Sequence, residues 1–208
     1  MQDTLQRIET LAASHAPTTP AVQDATPRFA TSYTPLNLPL LYKTNTDHQR
    51  AAYNATQAWL NDIIHNFSER ARWLILYGVP GSGKTHLLNN SARLLREFRR
   101  KVVVAKAPTL ATKLREAETH LLETVYKPCK ILCIDDLGSE YHTDYITSQW
   151  FDLLDSRIGM WTLITTNLTP AQLGRRYDAR IQSRLEDARN TLVDLTTAAD
   201  FRKTLKLS

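Results

Sequence analysis

Gly78-Val-Pro-Gly-Ser-Gly-Lys-Thr85 follows the apolar run Trp73-Leu-Ile-Leu-Tyr77 and leads into a helix-like segment that opens at His86. The spacing is G-x-x-x-x-G-K-[ST], and a strand before it with a helix after it is the setting in which that spacing binds phosphates. Its glycines let the main chain curl until several N–H groups point inward, and the helix behind adds the positive end of its dipole. In that arrangement Lys84 reaches the β- and γ-phosphates of a nucleoside triphosphate, and the Thr85 hydroxyl takes one position on Mg²⁺. The loop itself supplies Gly78, Val79, Pro80, Gly81, Ser82 and Gly83 to that contact.

Further along, Ile131-Leu-Cys-Ile-Asp135-Asp136 is an apolar strand that ends in two carboxylates. Coupled to a phosphate loop, Asp135 is expected to hold Mg²⁺ directly or through water, and Asp136 to orient and polarise the attacking water. Taken alone, such a strand end is simply solvated by its acids. The second carboxylate argues for hydrolysis over transfer to a small-molecule hydroxyl, which does not require a water-activating acid. Trp161-Thr-Leu-Ile-Thr-Thr166 is another strand, followed by Asn167, which can donate to a γ-phosphate and fix the water from the opposite side; Asn is also an ordinary turn former. Arg180 and Arg184 fall four apart on one helical face, with Ile181 and Leu185 on another. Exposed helical arginines are usually just solvated, but an Arg delivered to the γ-phosphate, often by a neighbouring subunit, accelerates phosphoryl transfer by orders of magnitude.

The chain has 208 residues, 42% of them apolar, which suffices for one good core. Its periodic sequence lies mostly after residue 46, so one domain over 46–208 is expected behind an arm at 1–45. In that arm Leu5, Ile8 and Leu11 keep helical spacing before Pro17, Pro20, Pro27, Pro35 and Pro39 break regular structure; the short helix either docks a partner or packs on its own domain. Lys plus Arg is 26 against 21 acids, a net charge of +5 that permits nucleic acid as a partner without demanding it. Cys129 and Cys133 are the two cysteines, and the second lies inside an apolar strand, which argues against zinc. No stretch approaches the roughly 18 apolar residues of a membrane span, so a cytoplasmic protein is expected.

Periodicity gives a helix from Asp47 to Phe67 with Ala51, Ala55, Trp59, Ile63 and Phe67 on the buried face and Thr46 or Asp47 as its cap. Strands at 73–77, 102–105, 131–135, 161–166 and 192–195 alternate with helices at 84–99, 109–125 and 143–157 and two short ones within 170–186. In the helix at 109–125, Leu110, Leu114, Ala117, Leu121 and Val125 share one side. Alternation of this kind implies parallel strands with crossovers on both faces, and ligands at the carboxyl ends of the strands. Arg93, Arg96, Arg99, Arg100 and Lys101 cluster at the end of the helix after the loop, with Arg175 and Arg176 elsewhere. The cluster serves either the helix dipole or a nucleic-acid backbone. No aromatic-rich stacking motif stands out.

Gly-Lys-Thr-His-Leu87, Ile-Asp-Asp-Leu-Gly-Ser-Glu140, Ile-Thr-Thr-Asn-Leu168, Arg-Tyr-Asp-Ala-Arg-Ile-Gln-Ser-Arg-Leu185 and Asp-Phe-Arg202, in that order, closely resemble the DnaC/DnaI-type replicative helicase loaders. They also resemble the IstB-like transposition ATPases, and both groups belong to the AAA+ superfamily. The resemblance covers residues 46–203 or so. It implies an α/β fold with a five-stranded parallel sheet in the order 5-1-4-3-2, sandwiched by helices. It further implies ATP as nucleotide, Mg²⁺, and a homo-oligomer with ATP at the subunit boundaries. Lys84 and Thr85 match Walker A, with His86 beside them; Asp135 and Asp136 match Walker B, and Asn167 matches sensor 1. Arg184 matches the arginine finger best, with Arg180 second, and Arg202 matches an arginine that substitutes for sensor 2.

The loaders typically lack a helical lid, and none is expected after Leu195. Asp136 stands where many AAA+ ATPases carry Glu, so slow turnover without a stimulating partner is expected. The short arm is the second departure, since the loaders tend to carry a sizeable helicase-binding domain there. Three functions follow: an ATPase that loads a hexameric replicative helicase on single-stranded DNA; an IstB-like transposition helper on duplex DNA; or a nucleotide-switched scaffold with little turnover.

Overall fold

The computed structural model describes residues 36–40, 42, 44, 46–67, 71–116 and 118–200. The expected N-terminal helix with Leu5, Ile8 and Leu11 lies outside the described residues, as does Arg202.

Helix α1 (Asp47–His65) starts where its sequence can close a cap. Thr46 accepts from the Gln49 amide N–H, and the Gln49 side chain accepts in return from the Thr46 N–H, so Thr46 and not Asp47 is the cap. Its buried face is centred on Ala52, Ala55, Trp59, Leu60 and Ile63, one position round from the expected Ala51. The chain then runs through strand β1 (Trp73–Gly78), helix α2 (Lys84–Glu97), strand β2 (Val102–Lys106) and helix α3 (Ala107–Arg115). A π-helical turn (Leu122–Tyr126), β3 (Ile131–Leu137), α4 (Asp144–Ser156) and β4 (Trp161–Thr166) follow. Helices α5 (Pro170–Arg176) and α6 (Ala179–Leu185) and strand β5 (Thr191–Leu195) complete the domain.

All pairings are parallel, in the order β2-β3-β4-β1-β5, which is the expected 5-1-4-3-2 read from the other edge. Because successive strand residues point to opposite faces, each apolar strand feeds two cores. Leu74, Leu76, Ile131, Cys133 and Leu163 pack with α1 and α2 on one face. Trp73, Ile75, Leu132, Ile134 and Ile164 pack with α3, α4, α5 and α6 on the other. A near-buried ion pair, Arg72 to Asp62 at 2.5 Å, fastens α1 to the start of β1. Among the described residues no helix is long and apolar enough to cross a membrane.

Two expectations are corrected. The helix expected over 109–125 is two pieces: α3 stops at Arg115, and the π-helical turn starts at Leu122, leaving Val125 exposed. Beyond the turn the chain is held by Arg157, which is fully buried and forms no ion pair among the described residues. Its guanidinium donates to the carbonyls of Tyr126, Lys127, Cys129 and Lys130 before β3 and of Trp161 at the start of β4, so it fixes the irregular path from the π-helical turn into β3. The second correction concerns the arm. Leu38 and Leu40 are buried in the core beside α1, and the backbone of Leu36 and Leu38 exchanges hydrogen bonds with the side chains of Asn61 and Gln57. The stretch from Leu36 to Leu40 therefore packs as part of the domain that follows it.

Candidate active site

The loop at Gly78–Thr85 closes the carboxyl end of β1, and its neighbours dictate its shape. Gly78 has φ +135°, and a β-carbon there would stand 2.2 Å from the Leu195 carbonyl carbon at the end of β5. Gly81 has φ +82°, and a β-carbon there would overlap the Asp200 carboxylate at 1.8 Å. Both glycines are thus required by the chain leaving β5, which crosses directly against the loop. Ser82 is fully buried and turned inward, its hydroxyl donating to the Val79 carbonyl at 2.9 Å while its own carbonyl accepts from the Tyr42 hydroxyl at 2.8 Å. Burial pushes the Tyr42 phenol up from its usual range, which keeps it a donor. Gly83, φ +89°, then starts α2 without a side-chain cap, leaving the first amides of the helix to an anion.

Lys84 is almost buried and folds back on its own loop, donating to the carbonyls of Gly78 at 2.8 Å and Val79 at 2.7 Å. The next residue turns the other way. The Thr85 hydroxyl donates to Asp135 Oδ1 at 2.9 Å, joining the loop to β3 across 50 residues of sequence. Thr165, on β4, donates to the same oxygen at 2.7 Å and accepts from the Asp136 N–H at 2.9 Å. Asp136 Oδ1 in turn accepts from Asn167 Nδ2 at 2.9 Å. One hydrogen-bonded chain therefore runs Thr85–Asp135–Thr165–Asp136–Asn167, and four of its five members were legible in the sequence. His86 is exposed in the first turn of α2.

The acids owe this placement to a bulge. Ile134 pairs with Ile164 and Leu137 with Thr166, so β3 carries one more residue than β4 over that stretch. Asp136 absorbs it at φ +62°, a left-handed conformation that Asp tolerates better than most residues. In a regular strand consecutive side chains diverge to opposite faces; here the Asp135 carboxylate meets the loop while the Asp136 carboxylate meets Asn167. The loop after β3 is fastened by Glu140, whose buried carboxylate accepts from the Gly138 N–H at 3.1 Å and from the Tyr177 hydroxyl. Burial raises that carboxyl above the ordinary range.

The donor set suits a hard cation shared with a nucleotide. A threonine hydroxyl and one carboxylate are hard oxygen donors, and among the described residues no group of three or more acids, histidines or cysteines forms a metal cage. Mg²⁺ commonly has few protein ligands, the remainder being water and phosphate oxygens. Arg184 is not brought to this site. It pairs with Asp155 at 2.8 Å on the flank formed by α4 and α6, and Arg180 pairs with Asp178 at 2.9 Å and covers the Phe151 ring at 4.2 Å.

Residues 44–191, more than half of the chain, match the bacterial DnaA ATPase domain. The chain belongs to that family. The chromosomal replication initiator protein DnaA of Campylobacter concisus is 27% identical over 128 residues, 59% of this chain and 29% of that protein. The chain thus spans about a third or less of the length of such relatives. A crystal structure of the DnaC helicase loader is 25% identical and superposes with a TM-score of 0.61 over 74% of this chain and 93% of that one. AMPPCP-bound DnaA from Aquifex aeolicus, 20% identical, matches in fold with a TM-score of 0.59 over 79% of this chain and 53% of that one. The expected likeness to helicase loaders is borne out, within the same AAA+ fold as the initiators.

Residues that the sequence reading missed are Thr165, Tyr42 and Asp200. Thr165 left no signal that separates it from the other threonines of β4. Tyr42 and Asp200 lie far from the loop in sequence and reach it only through the packing of α1 and β5.

Proposed function

We propose that this domain binds and hydrolyses ATP with Mg²⁺ and serves replication initiation by loading a hexameric replicative helicase onto single-stranded DNA. The hydrogen-bonded chain from Thr85 through Asp135, Thr165 and Asp136 to Asn167 carries the proposal, because it links the phosphate loop to two acids and an amide in the order that hydrolysis needs. Mg²⁺ bound by Thr85 and Asp135 would neutralise charge that builds on the phosphates. Lys84 leaves its loop carbonyls for the β- and γ-phosphates. Asp136 holds the attacking water, and Asn167 fixes the orientation of Asp136.

Arg184 supports assembly. It is anchored to Asp155 on an outer flank, so it serves a γ-phosphate only as a finger offered to the next subunit of a homo-oligomer. Asp136 is already engaged by Asn167 and is one carbon shorter than Glu, which favours slow turnover until a partner acts. The likeness to the DnaC loader over nearly all of that chain supports the helicase as partner.

The test is phosphate release by the purified chain, with and without single-stranded DNA and a hexameric helicase. Turnover that rises with both supports the loader. Stimulation by duplex DNA alone favours the transposition helper, and ATP binding without turnover under any condition leaves a nucleotide-switched scaffold.

A further inference from the structure

The basic cluster after α2 separates into two sets once its contacts are known. Arg93 is tied to Glu97 on its own helix, and Arg100 donates to the Ile64 carbonyl at 2.9 Å while covering the Phe67 ring at 4.8 Å. Those two cations serve the fold. Arg96, Arg99 and Lys101 are exposed and form no ion pair among the described residues. They gain a fourth member from a different element. Val102 pairs with Ile131, so Lys101 and Lys130 enter adjacent strands side by side, and Lys130 too is exposed and forms no ion pair among the described residues. Phe98, 40% exposed, stands among these cations.

Arg99 carries a second and independent signal. Helix α2 ends with the Arg99 N–H bonded to the Arg96 carbonyl at 2.9 Å and the Arg100 N–H to the Leu95 carbonyl at 2.8 Å, a helix ending whose left-handed residue is usually glycine. Arg99 occupies that position at φ +57°. A large side chain is strained there, and Arg96 in the last turn already complements the helix dipole. Neither dipole nor fold calls for a cation at Arg99, so the strain is retained for something outside the domain.

We propose that Arg96, Arg99, Lys101 and Lys130 bind the phosphates of single-stranded nucleic acid at the amino-terminal end of the sheet, with Phe98 as a stacking face for an unpaired base. Unpaired cations fit a polyanion, and an exposed ring fits bases that a duplex keeps stacked. The surface lies at the opposite end of the strands from the nucleotide site. The inference rests on the nucleic-acid part of the proposed function and is independent of ATP hydrolysis.

Fluorescence anisotropy with a labelled oligothymidylate of about 20 nucleotides and the full chain tests it. Four phosphate contacts predict a salt slope of about −2.8, hence roughly 50-fold weaker binding at about 200 mM than at about 50 mM salt. In the Arg99→Gly, Lys101→Gln, Lys130→Gln variant one contact remains, and the slope should fall to about −0.7 with at least about tenfold weaker binding at the lower salt. Arg99→Gly alone should melt at or above the wild-type temperature while weakening binding, an outcome that a structural role for the arginine would not give. An unchanged affinity and slope in the triple variant overturns the proposal, as does equally tight, equally salt-dependent binding of a duplex of the same length. Calorimetry with ATP separates the two readings: the triple variant should bind ATP as wild type does, whereas a wild-type chain that ignores ATP counts against the ATPase alone.

Discussion

Replacing Thr165 by Val keeps the shape of the side chain and removes one hydroxyl, and the structure assigns that hydroxyl two bonds. It donates to Asp135 at 2.7 Å and accepts from the Asp136 N–H at 2.9 Å, in a position only 1% exposed. Losing a hydrogen bond to a charged acceptor costs about 1.5–3 kcal/mol, and leaving the part-buried Asp136 N–H without a partner adds about 1 kcal/mol, the low end for an unsatisfied donor. Partial relaxation at the bulge lowers the sum, so about 3 kcal/mol of lost stability is expected. For a chain of this size that is a fall of roughly 6–12 °C in Tm, measurable by circular dichroism. The catalytic consequence is separable. The Lys84 and loop contacts to the phosphates are untouched, so ATP affinity by calorimetry should change little. Asp136, however, loses the bond that fixes its backbone, and turnover should fall by at least about tenfold. Thr165→Ser keeps the hydroxyl and should restore most of both. A Thr165→Val protein with wild-type Tm and wild-type phosphate release would refute the assignment of Thr165 as the residue that positions both acids.

Lys84→Ala should weaken ATP binding by at least about tenfold in calorimetry, because a charge-assisted phosphate contact is lost; unchanged binding would remove Lys84 from the site. Arg184→Ala should retain ATP binding and lose turnover, and mixing it with Lys84→Ala protein should restore part of the activity if each site is completed by a neighbouring chain. Absence of restoration would confine any role of Arg184 to one chain. Gly78→Ala should destabilise the domain by more than about 2 kcal/mol in urea unfolding, since its β-carbon would stand 2.2 Å from Leu195 at φ +135°. A stable Gly78→Ala protein would show that β5 yields where the packing implies it cannot.

What the sequence revealed and what it withheld divide along a physical line. The alternating strands and helices, the loop at Gly78–Thr85 and the acids closing β3 are local patterns, since each needs only a short window of residues to be recognised. The helix expected at 109–125 failed for the same reason it was expected. An i, i+4 pattern is satisfied equally by α3 and by the separate π-helical turn, and nothing in it marks where the one stops and the other begins. Thr165 was invisible because Thr162, Thr165 and Thr166 look alike in β4. Which of them reaches Asp135 depends on the register with β3 and on one extra residue in that strand.

Backbone dihedrals are the deeper omission, because only glycine advertises a left-handed residue in sequence. Among the described residues the non-glycine positions with positive φ are Arg99 and Asp136. Asp136 sits in the bulge that sends its carboxylate to Asn167, and Arg99 sits at a helix end where glycine would relax the chain. Each keeps a charged side chain at a cost that glycine would avoid, and neither charge is needed by a core or by the sheet. Strain at such positions persists when the side chain does work that the fold does not require. On that argument the two residues mark the two ends of the sheet: the carboxyl end carries the candidate nucleotide site, and the amino end carries the nucleic-acid contact proposed above. An Arg99→Gly protein that gains stability while losing oligonucleotide would tie the strain at the amino end directly to the contact proposed for it.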